Sequence, residues 1–118
     1  MAARRARLRA PTVEYRDADG NVLALRGTLS APTRASYARI QSGEDLRPGA
    51  SREDAWHRAF EFLFERLAVS WTVAGAPPLR RQHDLLARLR MATGAERDWL
   101  RECLREHCAQ CFPDVHAP

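Results

Sequence analysis

Residues 51–67 set the strongest constraint on what this chain can fold into. Ala55, Trp56, Ala59, Phe60, Leu63, Phe64 and Leu67 recur there at helical spacing, and a stripe that apolar has to be buried against something. Ser51-Arg52-Glu53-Asp54 just ahead of it has the form of a capping box. The other side carries Asp54, Arg58, Glu61, Glu65 and Arg66, with Asp54 and Arg58 spaced to pair at i,i+4. The pattern predicts a central core helix with a solvated polar side. Val69-Ser70-Trp71-Thr72-Val73 either prolongs that helix or leaves it as an extended segment, and Gly75-Ala76-Pro77-Pro78 breaks it in both cases.

Before this helix, Thr12-Val13-Glu14-Tyr15-Arg16 alternates apolar and polar residues, the period of a half-buried strand. Asp17-Ala18-Asp19-Gly20-Asn21 supplies turn dipeptides that tolerate positive φ, and Val22-Leu23-Ala24-Leu25-Arg26 returns as a second strand that Gly27 ends or bulges. A lone hairpin is marginal in water, so it must pack on the helices. Ser30-Ala31-Pro32-Thr33 starts a short helix to about Gln41, with Tyr37 and Ile40 inward, and residues 42–50 read as a loop. After the Pro-Pro break a helix is expected over 79–91, with Leu85, Leu86 and Leu89 inward and an Arg80-Asp84-Arg88 ladder outward. Thr93-Gly94-Ala95-Glu96 is a second capping box, opening a helix with a stripe of Ala95, Trp99, Cys103, Leu104 and Cys108 that Phe112-Pro113 stops. The expectation is an α+β, predominantly helical fold: an N-terminal β-hairpin on a bundle of about four helices, forming one domain over 11–118 behind a flexible Arg-rich arm over 1–10.

All 19 basic residues are Arg, with no Lys, and Ala is abundant. That bias looks like the codon habit of a GC-rich bacterial genome, so Arg enrichment says less about phosphate binding than it otherwise would. The net charge of +4 comes from Arg4, Arg5, Arg7 and Arg9; from Pro11 onward 15 Arg face 15 acids. A domain that grips duplex DNA usually gathers basic charge on one face, whereas this chain offers a basic arm on an electrically even body. No apolar run approaches the ~20 residues of a membrane helix, and the basic N-terminus lacks the apolar stretch of a secretory signal. Three cysteines, Cys103, Cys108 and Cys111, fall within nine residues. They are a poor disulfide framework and point to a reducing compartment, hence a cytoplasmic protein.

The residues able to carry chemistry are few. Cys103, His107, Cys108, Cys111 and His116 are zinc-type ligands. One continuous helix, however, turns Cys108 about 140° from Cys103, and no second Cys pair follows elsewhere. Read as small buried hydrophobes, these thiols need no metal. A Cys103–His107 catalytic pair would need an orienting group and an exposed, electropositive thiol. Nothing else in the sequence marks such a site, and no glycine-rich phosphate loop occurs. His57 and His83 fall on charged, solvated faces. Among the aromatics, Trp71 stands at a helix exit beside the Pro-Pro loop, where a large side chain can anchor a partner.

The order of elements resembles that of bacteriophage tail assembly chaperones and related proteins of phage-like tail systems. The likeness rests on the hairpin Val13-Glu14-Tyr15-Arg16 to Gly20-Asn21-Val22-Leu23-Ala24-Leu25-Arg26 running into Leu29-Ser30-Ala31-Pro32-Thr33-Arg34. It rests further on the helix ending in Leu67-Ala68-Val69-Ser70-Trp71, and on the Gly75-Ala76-Pro77-Pro78-Leu79 break before two closing helices. The resemblance implies a non-enzymatic protein that holds tail tape-measure or tube proteins before assembly, without an active site or cofactor. The Cys/His cluster and the long last helix depart from that pattern. The expected mode is an apolar groove receiving an amphipathic client segment, with Trp71, Val73, Leu79 and Tyr37 as its surface and the Arg arm steering the approach. Two alternatives stand beside it. One is a small nucleic-acid-binding or regulatory protein that uses the arm. The other is a zinc-bearing accessory protein built on Cys103, His107, Cys108 and Cys111.

Overall fold

The computed structural model describes residues 11–44 and 48–118; the Arg arm lies outside the described residues. The chain runs through β1 (Thr12–Arg16), β2 (Val22–Arg26), α1 (Ala31–Ser42), α2 (Arg52–Leu67), β3 (Ala68–Thr72), α3 (Gln82–Arg90) and α4 (Gly94–Cys111). It is α+β and mostly helical, as the hydrophobic periods predict.

The hairpin forms with Thr12 opposite Arg26 and Arg16 opposite Val22. Its turn is built by Asp17, whose carboxylate accepts from the Asp19 and Asn21 amides at 3.0 and 2.9 Å and from the Asn21 side chain at 2.6 Å. Those three bonds hold the Asp17 carboxyl below its usual range. Gly20 takes φ 88°, a conformation that a side chain would resist.

The sheet, however, has three strands, in the order β1-β2-β3. Of the two options for residues 69–73, the extended one is realised. Ala68 leaves the helix at φ −69° and ψ 122°, and the segment pairs antiparallel to β2, Leu23 opposite Trp71, with a bulge between Ala24 and Leu25. Val69, Trp71, Thr72 and Val73 are β-branched or aromatic, the types that favour a pleated, half-buried surface. Leu79 then exchanges both backbone hydrogen bonds with Trp71, at 2.9 and 2.8 Å. An extended Leu79 cannot also be helical, so α3 starts at Gln82, three residues later than its apolar pattern suggested.

Each long helix is capped as its sequence requires. Ser30 accepts from Thr33 N, and the boxes Ser51/Asp54 and Thr93/Glu96 are both reciprocal. Asp54 gives its carboxylate to Ser51 N and Oγ, and no ion pair to Arg58 forms among the described residues. The Arg80-Asp84-Arg88 ladder does not form either. Arg88 instead bonds Glu96 at 2.6 Å and lies 5.2 Å from the Trp71 ring.

The core is continuous through every element. Leu23 and Leu25 from the sheet, Ala59, Phe60, Leu63, Phe64 and Leu67 from α2, Leu85 and Leu89 from α3, and Leu100, Leu104 and Cys108 from α4 are all buried. In α4 the buried stripe is Leu100, Cys103, Leu104, His107 and Cys108, whereas Ala95 is exposed and Trp99 only half-buried. The stripe is therefore rotated towards Leu100 and His107 from the one drawn through Ala95 and Trp99. Leu86 is likewise only partly buried. Beyond Phe112 the chain does not simply end its helix. Phe112 and Val115 enter the core, and the tail folds back on α1, where Asp114 meets Arg34 and the His116 carbonyl accepts from Gln41 Nε2 at 2.9 Å.

Candidate functional site

The four residues expected to form a partner surface do not form one. Trp71 is 1% exposed. As the buried fourth residue of β3 it packs edge-on against Phe64, with ring centroids 5.9 Å apart, and Arg88 covers it. The extended path puts the indole under the helices, where a helix exit would have left it at the surface. Tyr37 is also buried; its hydroxyl donates to the His116 carbonyl at 2.5 Å, and burial pushes its phenol above the ordinary range. Val73 and Leu79 are half-buried against the same core. These residues seal the domain.

Trp56, in the first turns of α2, is a half-open aromatic. Its indole stacks on Phe60 with centroids 6.4 Å apart, meets His57 edge-on, and carries the Arg101 guanidinium 4.9 Å above its ring. Between α2 and the start of α4 it walls a cavity of about 150 Å³ with Phe60, Gly94, Arg97, Asp98 and Arg101. The opposite side of the indole borders the end of α1 at Gln41, Ser42 and Gly43. Sequence periodicity alone buries Trp56, because it lies inside the α2 stripe. Gly94, the first residue of α4, lines the cleft at a place where a Cβ would touch nothing within 4 Å. A glycine in the first position of α4, facing a tryptophan, is the sequence signal that marks the gap. The polar lining already has partners. Arg101 pairs with Asp98, Arg97 donates to the Leu89 carbonyl at 3.1 Å, and His57 lies 3.6 Å from Glu53. The cleft thus offers an apolar floor of Trp56 and Phe60 and a polar rim of His57, Arg97, Asp98 and Arg101.

The Cys/His cluster is arranged differently from either a metal centre or a catalytic pair. His107 is fully buried. Its Nε2 faces the Arg26 carbonyl at 2.8 Å, and a carbonyl only accepts, so Nε2 carries the proton. Nδ1 then accepts from the Tyr15 hydroxyl at 2.9 Å. Both nitrogens are used in joining α4 to β1 and β2, and neither has a lone pair free for a ligated ion. Cys111 Sγ lies 3.9 Å from the same Nδ1. Burial, reinforced by Glu106 and Glu102, raises the Cys103 thiol to about 12, and burial beside Cys111 raises Cys108 to about 11. Among the described residues no three His, Cys, Asp or Glu side chains gather as a metal site. His116 is exposed; it takes part through its carbonyl rather than its ring.

Thiol modification follows from this arrangement. With iodoacetamide at neutral pH, half-buried Cys111 should react first. Cys103 and Cys108 should react only as fast as the domain opens, since a buried un-ionised thiol is neither reachable nor nucleophilic. Mass spectrometry of the alkylated peptides reads the order. Rapid labelling of Cys103 in the folded protein would contradict the geometry.

No protein-family model, characterised protein or solved structure matches this chain.

Proposed function

We propose that this chain is a non-enzymatic protein-interaction module of the assembly-chaperone type, holding an amphipathic partner segment by one apolar side chain set in the Trp56 cleft. The observation that carries the reading is the half-open Trp56 itself, walled with Phe60 over a cavity of about 150 Å³ that Gly94 leaves unfilled. An enclosed apolar cavity of about that volume can take benzene; this half-open cleft with its apolar floor has comparable room for a leucine, methionine or phenylalanine side chain. Tryptophan with arginine at its rim is the composition in which binding hot spots concentrate. The rim groups Arg97, Arg101 and Asp98 favour a segment that is polar around its apolar anchor, as the surface of an amphipathic helix is. The likeness in element order to tail assembly chaperones supports tail tube or tape-measure proteins as the clients to try first.

The test is co-expression with each protein encoded beside this chain, comparing the wild type with Trp56→Ala and Gly94→Met. The glycine variant plugs the cavity without removing a packed group. The wild type should retain one of those neighbours on affinity purification. Both variants should lose it by at least about 10-fold, roughly 1.4 kcal/mol, while melting close to the wild type. A client held equally by all three proteins, or no neighbour held at all, would overturn the reading.

A further inference from the structure

We infer that the outer groove between α1 and α2, on the other side of α2 from Gly94, docks an acidic amphipathic segment of a partner protein. Arg58 and Arg66 would receive its carboxylates, and Phe62 its apolar side chain.

Arg58, Phe62 and Arg66 stand at i, i+4 and i+8 of α2 and so form one stripe. The charge pattern suggests that Arg58 is answered by Asp54. The structure takes Asp54 away into the helix cap, and Arg58 is left exposed without an ion pair among the described residues. Arg66 is exposed too, and its guanidinium rests 5.1 Å from the centre of the Phe62 ring. Across the groove α1 contributes Ser36, Arg39 and Ile40, enclosing about 260 Å³ with Arg58 and Phe62. Below, Tyr37 stacks on Phe62 at 6.4 Å and fixes the floor. An aromatic and an isoleucine are thus framed by three arginines, of which Arg39 is shared with Glu44 at 3.7 Å.

The occupant follows from charge and spacing. Eight residues of helix separate the two arginines by about 12 Å, which matches carboxylates two turns apart on a partner helix with apolar residues between them. A nucleic acid fits less well. Glu44 stands 3.7 Å from Arg39 of the groove, and Glu61 and Glu65 lie in the same stretch of α2 as Phe62, Glu61 held by Arg90 at 3.3 Å. A continuous polyanion would have to pass these carboxylates, whereas a short peptide with two placed carboxylates avoids them.

The probe is a fluorescein-labelled helical peptide with two glutamates two turns apart and leucines between, read by anisotropy against the full chain. Controls are the same peptide with arginines in place of the glutamates, and a short DNA duplex. The wild type should bind the acidic peptide, more weakly as salt rises. Arg58→Glu combined with Arg66→Glu should weaken it at least about 10-fold and should bind the arginine peptide instead. Both arginines are exposed, so circular dichroism should show the double variant folded, and the swapped peptide rescues binding only if the fold persists. Three results would each overturn the proposal: no binding of the acidic peptide, equal binding by the double variant, or tighter arginine-dependent binding of the duplex. Gly94→Met should leave this binding unchanged, so the groove and the Trp56 cleft stand or fall separately.

Discussion

Trp71→Ala is expected to destabilise the domain by about 3–5 kcal/mol, the cost of emptying a fully packed tryptophan site. The indole is 1% exposed and sits between Phe64 and Arg88, at the junction of β3 with β2 and with the Leu79 bridge. Removing it leaves a void lined on several sides and loosens the strand that joins α2 to the hairpin. Against a total stability of roughly 5–15 kcal/mol, that loss brings the protein close to unfolding at 25 °C. Urea denaturation followed by circular dichroism measures it as a shift of midpoint at unchanged slope. A loss below about 1 kcal/mol would mean that the site relaxes or is open to water, in the range of ordinary surface changes.

The second large effect is expected at His107. His107→Leu fills nearly the same space but strips the Tyr15 hydroxyl and the Arg26 carbonyl of their partner. A buried acceptor left without a donor costs about 1–3 kcal/mol, and the loss of the tyrosine bond adds to it, giving roughly 2–4 kcal/mol in all. Tyr15→Phe should cost only about 1 kcal/mol, because Nδ1 alone then loses its donor. The Tyr15 phenol, raised by burial and by Glu106 to about 12, stays protonated through neutral pH and keeps donating. The ordering His107→Leu worse than Tyr15→Phe, read in the same urea titration, separates a structural cross-link from a merely space-filling histidine. Equal effects from the two changes would contradict it.

Much of this architecture was legible in the residues. The hairpin, the caps at Ser30, Ser51 and Thr93, and the α2 stripe are local rules, satisfied within a few positions of the chain. What failed to show were the long-range partners. Residues 68–72 have no helix-breaking signal of their own, and their strand character is settled by β2 lying alongside. Trp71 looked like a surface anchor because a sequence shows that a helix ends but not where the next segment goes. His107 and the tail at Phe112 and Val115 were missed for the same reason, since their partners Tyr15, Arg26 and Tyr37 lie 75 or more positions earlier. Charge pairs read from i,i+4 spacing also proved unreliable: Asp54 and Arg88 had better local offers in a cap amide and in Glu96. The candidate site was the least visible part, because Trp56 shares the period of its buried stripe-mates and its exposure depends on how α1 and α4 lie beside α2.

Tryptophan emission tests the central assignment most directly. Two variants serve, each keeping one of Trp56 and Trp71 while phenylalanine replaces the other and Trp99. With Trp71 alone, emission should be blue-shifted and nearly insensitive to acrylamide; with Trp56 alone it should be redder and readily quenched. An accessible Trp71, or a Trp56 as shielded as Trp71, would mean that the interior and the binding face have been assigned the wrong way round.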